Sequence, residues 1–187
     1  GRKKKRRMVP KDIDRMHAIN DPCPFTETFP RSYYLTYIQR WPALTLAAEG
    51  PPGTLLGYIL AKTETGSQGL YCHVSALAVK PEARRRGIAS RLMAQIEMVC
   101  AHSIGALYVD LFCKVSNQRA SNYYKKLGYH TYRTVEKYYS DGNDALDMRK
   151  SLPADADNRC MRPRSGPVPL SDWLQKRDEK AARGRLL

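Results

Sequence analysis

Ala78-Val79-Lys80-Pro81-Glu82-Ala83-Arg84-Arg85-Arg86-Gly87-Ile88-Ala89 is the stretch that decides how the chain is read. Before it, Tyr71 to Val79 is a long β-prone run that stops at Pro81. After it, Ile88, Leu92, Met93, Ile96, Val99 and Cys100 recur at helical spacing, so a helix is expected from Ile88 to about Ser103, ended by Gly105. A strand therefore runs through a short arginine-rich loop into a helix. The first turn of a helix offers unpaired N–H groups and a positive dipole end, which together favour phosphate. Gly87 has no side chain to keep an anion away from the backbone. These features read as a pyrophosphate cradle made by Arg84, Arg85, Arg86, Gly87, Ile88 and Ala89. On spacing alone, a solvated basic patch is an equal reading of the arginines.

Working outward, the pattern predicts a short strand over Arg6–Val9 and a helix over Asp12–Asn20 with Ile13, Met16 and Ile19 on one side. Asp21-Pro22-Cys23-Pro24-Phe25 breaks that helix. A second helix covers Arg31–Arg40 and ends at Trp41-Pro42. Strands follow over Leu44–Glu49 and Leu55–Thr63 around a Gly-Pro-Pro-Gly turn. Beyond the central stretch, Leu107–Phe112 is a strand, Asn117–Leu127 a helix stopped by Gly128, and Tyr129–Tyr139 and Ala145–Lys150 two more strands. The order is β, α, α, β, β, β, α, β, α, β, β. That is a mixed α/β domain, a central mixed sheet with helices on both faces.

The 187 residues suit one domain with a tail. Apolar residues at 42% exclude wholesale disorder, and no apolar run reaches the roughly 18 residues that a membrane helix needs. No apolar segment follows the basic start, so no secretory signal is expected. The net charge of +14 is concentrated at the ends. Arg2–Arg7 are all basic, and residues 159–187 hold 8 Lys or Arg against 3 Asp or Glu, whereas residues 8–158 hold 18 against 15. We therefore divide the chain into a basic arm at 1–7, a near-neutral folded domain at 8–152 and a basic Pro-containing tail at 153–187. In that tail Ser171 opens a short helix toward Arg183, and Leu170, Trp173 and Leu174 either dock on a partner or fold back on the domain. The arm reads as a solvated segment, a nuclear-import signal or a nucleic-acid contact. Cys23, Cys72, Cys100, Cys113 and Cys160 show no zinc-like spacing, so a reduced intracellular protein without a metal is expected.

Arg84-Arg85-Arg86-Gly87-Ile88-Ala89 matches the [Q/R]-x-x-G-x-[G/A] signature of the GNAT acetyltransferases, which bind the pyrophosphate of acetyl-CoA there. Further matches narrow the resemblance: Asp21-Pro22, Thr26-Glu27-Thr28, His73-Val74-Ser75-Ala76-Leu77, Val115-Ser116-Asn117-Gln118, Tyr124-Lys125-Lys126-Leu127-Gly128-Tyr129 and Asp147-Met148-Arg149-Lys150. From about Arg6 to Leu152 the chain resembles the catalytic subunits of N-terminal acetyltransferase B (NatB) complexes. Four features depart from that family: Cys23-Pro24-Phe25 adds two residues, Phe29 stands where Tyr is usual, Ser75 replaces Thr, and the Gly66-to-Gly69 turn is shorter.

The resemblance implies the GNAT fold, acetyl-CoA as cosubstrate and acetylation of nascent proteins starting Met-Asp, Met-Glu, Met-Asn or Met-Gln. It also implies a helical-repeat auxiliary subunit, the ribosome and nascent chain as partners, and a cytoplasmic location with a possible nuclear pool from the basic arm, which could also contact ribosomal RNA. An α-amine has a pKa of about 8 against about 10.4 for Lys, so near pH 7 roughly a tenth of it is already neutral and a weak base suffices. Glu27 and His73 are the candidate bases, and Tyr124 the donor to the leaving thiolate. Leu77, Ala78 and Val79 supply backbone contacts to the thioester, and Asn117 contacts CoA or peptide or caps its helix. Glu27, Phe29, His73, Ser75, Phe112, Asn117, Tyr138 and Tyr139 line the peptide channel. Apart from the resemblance, His73 reads as a sheet histidine, Glu27 as a loop carboxylate, Tyr124 as a packing residue and Tyr138-Tyr139 as strand formers. Two rivals remain at this level: a GNAT enzyme acting on lysines or other N-termini, and a non-catalytic ribosome- or RNA-binding module.

Overall fold

A computed structural model describes residues 4–23, 25–162 and 166–175. Among the described residues, eight strands, numbered β1 to β8 along the chain with ranges given below, form one mixed sheet flanked by helices, in the order β1-β2-β3-β4-β5-β7-β6-β8. The chain divides into two units. One comprises the residues up to Thr63 together with His73–Ile104, the other Glu64–Cys72 and the chain from Gly105 onward.

The first unit begins with β1 (Lys4–Arg7), then α1 (Ile13–Asn20), α2 (Arg31–Arg40) and β2 (Thr45–Gly50). It also holds most of β3 (Thr54–Gly66) and of β4 (Gly69–Val79), then α3 (Ile88–Val99). The helical spacing of Ile13, Met16 and Ile19 puts all three in the core, at 0% exposure, against Tyr34, Tyr58 and Leu60. Each such side chain contributes about 1.5–3 kcal/mol relative to an exposed one. Asn20 is buried among them and is satisfied, accepting from the Tyr58 hydroxyl at 2.6 Å and donating to Tyr34 at 3.3 Å. Helix α2 ends where the residue before a proline is driven out of helical geometry, at Trp41 with φ −132°.

The strand expected at Arg6–Val9 lies two residues earlier and pairs antiparallel with β2 from Lys4↔Glu49 to Arg7↔Leu46. The described half of the expected basic arm is thus an edge strand. Arg6 is anchored within it: its guanidinium grips the buried Asp12 carboxylate at 2.7 and 2.8 Å and reaches Glu49 at 3.2 Å. Burial alone would raise the Asp12 pKa, but the bonds from Arg6 and from the Val9 N–H outweigh it and hold the carboxyl below its usual range. Helix α3 is shorter than expected, because a π-helical turn over Cys100–Ile104 carries the chain to Gly105 at φ +70°.

The second unit holds β5 (Tyr108–Lys114), α4 (Gln118–Lys126), β6 (His130–Glu136), β7 (Ala145–Ser151) and β8 (Val168–Pro169). Strand β7 pairs antiparallel with β5 and with β6. Arg149 lies between the rings of Tyr108 and Tyr132, at 4.7 and 3.5 Å, and bonds Asp147, which Arg133 also holds at 2.9 Å. Strand β6 does not reach Tyr139. It ends at Glu136 because Lys137 turns to φ +50° and gives its N–H to Asp144 at 2.8 Å. Tyr138 and Tyr139 therefore sit in the connection to β7, not at the end of a strand.

Beyond Leu152 the chain continues in this unit, with Asp155 and Cys160 at 6% and 1% exposure. Strand β8, unforeseen in the sequence, runs parallel to β6 with Val135 opposite Val168 and Glu136 opposite Pro169. Residues 170–175 are helical, and the rest of the helix expected to Arg183 lies outside the described residues. Among the described residues no helix is long and apolar enough to cross a membrane.

Candidate functional site

The loop after β4 is shaped by its own backbone. Lys80 gives its N–H to Leu56 at 2.9 Å, Pro81–Ala83 makes one 3-10 turn, and Arg84 runs extended. Arg85 at φ +59° and Gly87 at φ +70° are both left-handed, and α3 starts at Ile88. Left-handed residues at a helix start turn successive N–H groups to one side, the geometry of an anion nest. A Cβ at Gly87 would meet nothing within 4 Å, so its backbone angle, not crowding, calls for glycine, and the face beside it is open. Such exposed N–H groups at a helix start are of the kind that suits a diphosphate.

The three arginines are not equivalent. Arg84 turns inward, its Nε donating to the Val79 carbonyl at 3.0 Å and its Nη2 to the Cys23 sulfur at 2.9 Å. It fixes the loop to the end of β4 and to the chain after α1. Arg85 and Arg86 are exposed, and Arg91 braces the loop by donating to the Arg86 carbonyl at 3.1 Å. Ala78 is buried, while Leu77 and Val79 are half-buried. Gly57 allows β3 to close on this strand end, since a Cβ there would lie 2.7 Å from the Ala78 carbonyl.

The segment between α1 and α2 brings Phe29 toward β4 through residues that sequence reasoning missed. Phe29 stacks on Tyr33 with centroids 4.3 Å apart and gives its N–H to the Tyr34 hydroxyl at 3.1 Å. Tyr33 meets the Tyr37 hydroxyl at 3.1 Å, and Tyr37 meets Ser75 Oγ at 2.6 Å. Phe29 and Ser75 are thus ends of one chain of aromatic and hydroxyl contacts. Tyr33 brings a hydroxyl alongside the ring that lacks one. Burial, then the bond to Tyr37, pushes the Tyr33 phenol upward, so it stays neutral. The signal was present as Tyr33, Tyr37 and Trp41 on one face of α2, but that spacing equally describes plain core. His73 shares a face of β4 with Ser75, two residues before it. Glu27 is exposed, with its carbonyl held by Asn20 at 3.5 Å. Cys23 of the added segment is buried, Phe25 is exposed, and Pro24 lies outside the described residues.

The second unit collects another group. Asn117 caps α4, its Oδ1 accepting from the Ala120 N–H at 3.1 Å. Tyr124 lies edge-on to Tyr123 and Tyr129, with centroids 5.2 and 5.9 Å away. Burial, then the nearby Cys113 thiol, pushes its phenol upward, so Tyr124 keeps its proton at neutral pH and does not act as a base there. Phe112 meets Tyr138 edge-on at 4.6 Å. Trp173 folds back onto both rings, 5.5 Å from Phe112 and 5.3 Å from Tyr138. Tyr139 lies beneath the Lys114 ammonium at 4.8 Å. Lys114 also pairs with Asp141 at 2.5 Å, chiefly holding that carboxyl down to about 2. Among the described residues no cluster of His, Cys, Asp or Glu could hold a metal ion.

The family profile described as Acetyltransferase (GNAT) matches residues 13–129. Over 163 residues the chain is 40% identical to the N-terminal acetyltransferase B complex catalytic subunit NAA20 of Arabidopsis thaliana, with 87% of this chain and 93% of that protein covered. It is 41% identical over 167 residues to N-alpha-acetyltransferase 20 of Dictyostelium discoideum, with 89% and 96% covered. The crystal structure of Chaetomium thermophilum Naa20 in complex with a bisubstrate analogue is similar with a TM-score of 0.85 at 34% identity, with 90% of this chain and 97% of that chain covered.

Proposed function

The chain belongs to the acetyltransferase (GNAT) family, and we propose that it acetylates the α-amine of proteins starting Met-Asp, Met-Glu, Met-Asn or Met-Gln. It is an acetyl-CoA-dependent N-terminal acetyltransferase of the NatB type. The observation that carries the reading is the left-handed Arg85–Gly87 turn opening α3, an anion nest at the position where the family holds its cosubstrate.

In this reading, the backbone from Gly87 to Ala89 takes the diphosphate, with Arg85 and Arg86 adding charge. Arg84 supports the turn from behind. Acetyl-CoA supplies an acyl group on a thioester. The amine nitrogen bonds to the acyl carbon, the carbon–sulfur bond breaks, and no acyl-enzyme is needed. Glu27 or His73 takes the amine's proton, directly or through one water, a step that contributes about 10²–10⁴-fold. Tyr124 returns a proton to the sulfur; burial keeps its phenol protonated until then, although it also makes the phenol a weaker acid. Backbone N–H groups at Leu77–Val79 steady the developing charge on the acyl oxygen. Phe29, Phe112, Tyr138 and Tyr139 offer aromatic surface to the first Met, while His73, Ser75 and Asn117 suit an acidic or amide second residue.

The partner of this catalytic chain is an auxiliary subunit, as the name of the Arabidopsis relative implies for that protein. Work on nascent chains would put the enzyme at the ribosome in the cytoplasm, where the basic ends suit ribosomal RNA. A peptide panel with acetyl-CoA, run with and without an auxiliary subunit, tests the reading. Turnover of Met-Asp and Met-Glu peptides far above Ser- and Ala-starting ones is expected. Equal turnover of all would assign another GNAT specificity, and no transfer to any would remove the enzymatic reading.

A further inference from the structure

We propose that Trp173 is a positioning residue for peptide recognition, fixing Tyr138 and the irregular β6–β7 connection against Phe112; this rests on the acetyl-transfer reading above. The connection leaves the sheet at Lys137, where the left-handed turn ends the β6 ladder. Its far side is tied to β5 twice, through Lys114 to Asp141 and through the Val115 N–H to the Asp144 carbonyl at 3.0 Å. Tyr138, at the near side, is oriented by ring contacts with Phe112, Tyr139 and Trp173.

Of these rings, Phe112 comes from β5 and Trp173 from the segment after β7. Strand β8 brings it, pairing with Val135 and Glu136, the last two residues of β6 before the turn. The segment around β8 is thus fastened at the root of the connection and applies an aromatic ring to Tyr138, just beyond that root. The three rings of Phe112, Tyr138 and Trp173 meet one another edge to face, at 67–85° between planes for the Trp173 pairs and 76° for Phe112 with Tyr138. That is a favoured aromatic arrangement, and it leaves Tyr138 little freedom to rotate. A tyrosine already ordered before the peptide arrives loses less entropy on binding.

Removing the ring should weaken peptide binding without touching the acetyl-CoA cradle. In the full chain, Trp173→Ala should raise the KM for a Met-Asp peptide about tenfold, the scale of one side chain that must then be ordered on binding. The KM for acetyl-CoA and kcat should stay within about twofold. Trp173→Phe, which keeps a ring, should restore most of the peptide KM. Trp173→Leu keeps apolar bulk for folding but has no ring edge, so it should behave like Trp173→Ala and decides the matter if Trp173→Ala does not fold. An unchanged peptide KM in the Leu or Ala variant overturns this role alone. Faster turnover in those variants also overturns it, because the segment would then obstruct the peptide. A wild-type chain that acetylates no peptide removes the parent reading, and this one with it.

Discussion

The turn after β4, in the first unit, and the connection after β6, in the second, are built in opposite ways. The first is local. Arg84 to Ala89 are consecutive, and the conformation that matters is set by Arg85 and Gly87 within the turn and by the helix that follows. The second is assembled from afar, with Phe112 on β5, Tyr138 outside the sheet and Trp173 delivered by β8. A site of the first kind can be read along the chain. A site of the second kind exists only once strands have found their neighbours.

The sharpest way to break this contrast uses a residue whose local reading misleads. Arg6 belongs to a basic run, yet its guanidinium holds the fully buried Asp12 carboxylate. Arg6→Ala should cost about 3 kcal/mol of stability, because it strips a buried charge of its main partner and leaves it the Val9 N–H at 3.0 Å and the half-exposed Arg15 at 3.2 Å. Denaturant unfolding measures this, and a loss below about 1 kcal/mol would return Arg6 to the solvated arm. The same pair gives a sign for pH. The Asp12 pKa is lower in the folded chain than its unfolded value of about 3.9. Its contribution is therefore complete above that value and is lost as pH falls through the folded pKa, so acid unfolding of wild type should begin below about pH 4.

Next in size is Gly87→Asp. It puts a carboxylate in the anion nest, where the side chain has open space although the left-handed backbone is strained for any residue but glycine. The KM for acetyl-CoA should rise about 100-fold, the scale of a lost hydrogen bond to a charged group, with little change in peptide KM. Unchanged acetyl-CoA kinetics would remove the cradle from the turn. Tyr124→Phe should follow, lowering kcat about tenfold, the modest end for a proton donor because a thiolate leaves readily. Steady-state rates with both substrates saturating check this, and an unaltered kcat assigns Tyr124 to packing. The smallest effect separates the arginines. Arg85→Gln should raise the acetyl-CoA KM a few-fold at unchanged stability, whereas Arg84→Gln should instead lower the melting temperature by a few degrees, the equivalent of about 1 kcal/mol. Identical behaviour of the two variants would show that the inward contacts of Arg84 do not matter.

The element order expected from the sequence matches the structure from β1 to β7, and helix α2 falls at Arg31–Arg40 as expected. Those elements are punctuated by prolines and glycines and patterned by local periodicity. The errors have a common character. Strand β6 was drawn too long because Tyr138 and Tyr139 are strand formers, while the turn that ends it depends on Asp144, across the connection. Strand β8 was missed because two residues carry no period, and only pairing with β6 defines them. The chain of contacts from Phe29 through Tyr33 and Tyr37 to Ser75 was missed for a similar reason, since a tyrosine stripe on a helix does not declare which strand it will face.

By itself, then, the sequence determined the succession of strands and helices, the mixed α/β class and the strand–turn–helix that places Arg84–Ala89 at the start of α3. All of these follow from backbone preferences and periodicities that act within a few residues. The tertiary structure alone decided which arginine of the turn faces inward, that Arg6 serves a buried carboxylate, and that Trp173 closes on Phe112 and Tyr138. Those contacts join residues far apart along the chain, and their energy appears only when sheet pairing and burial bring the side chains together.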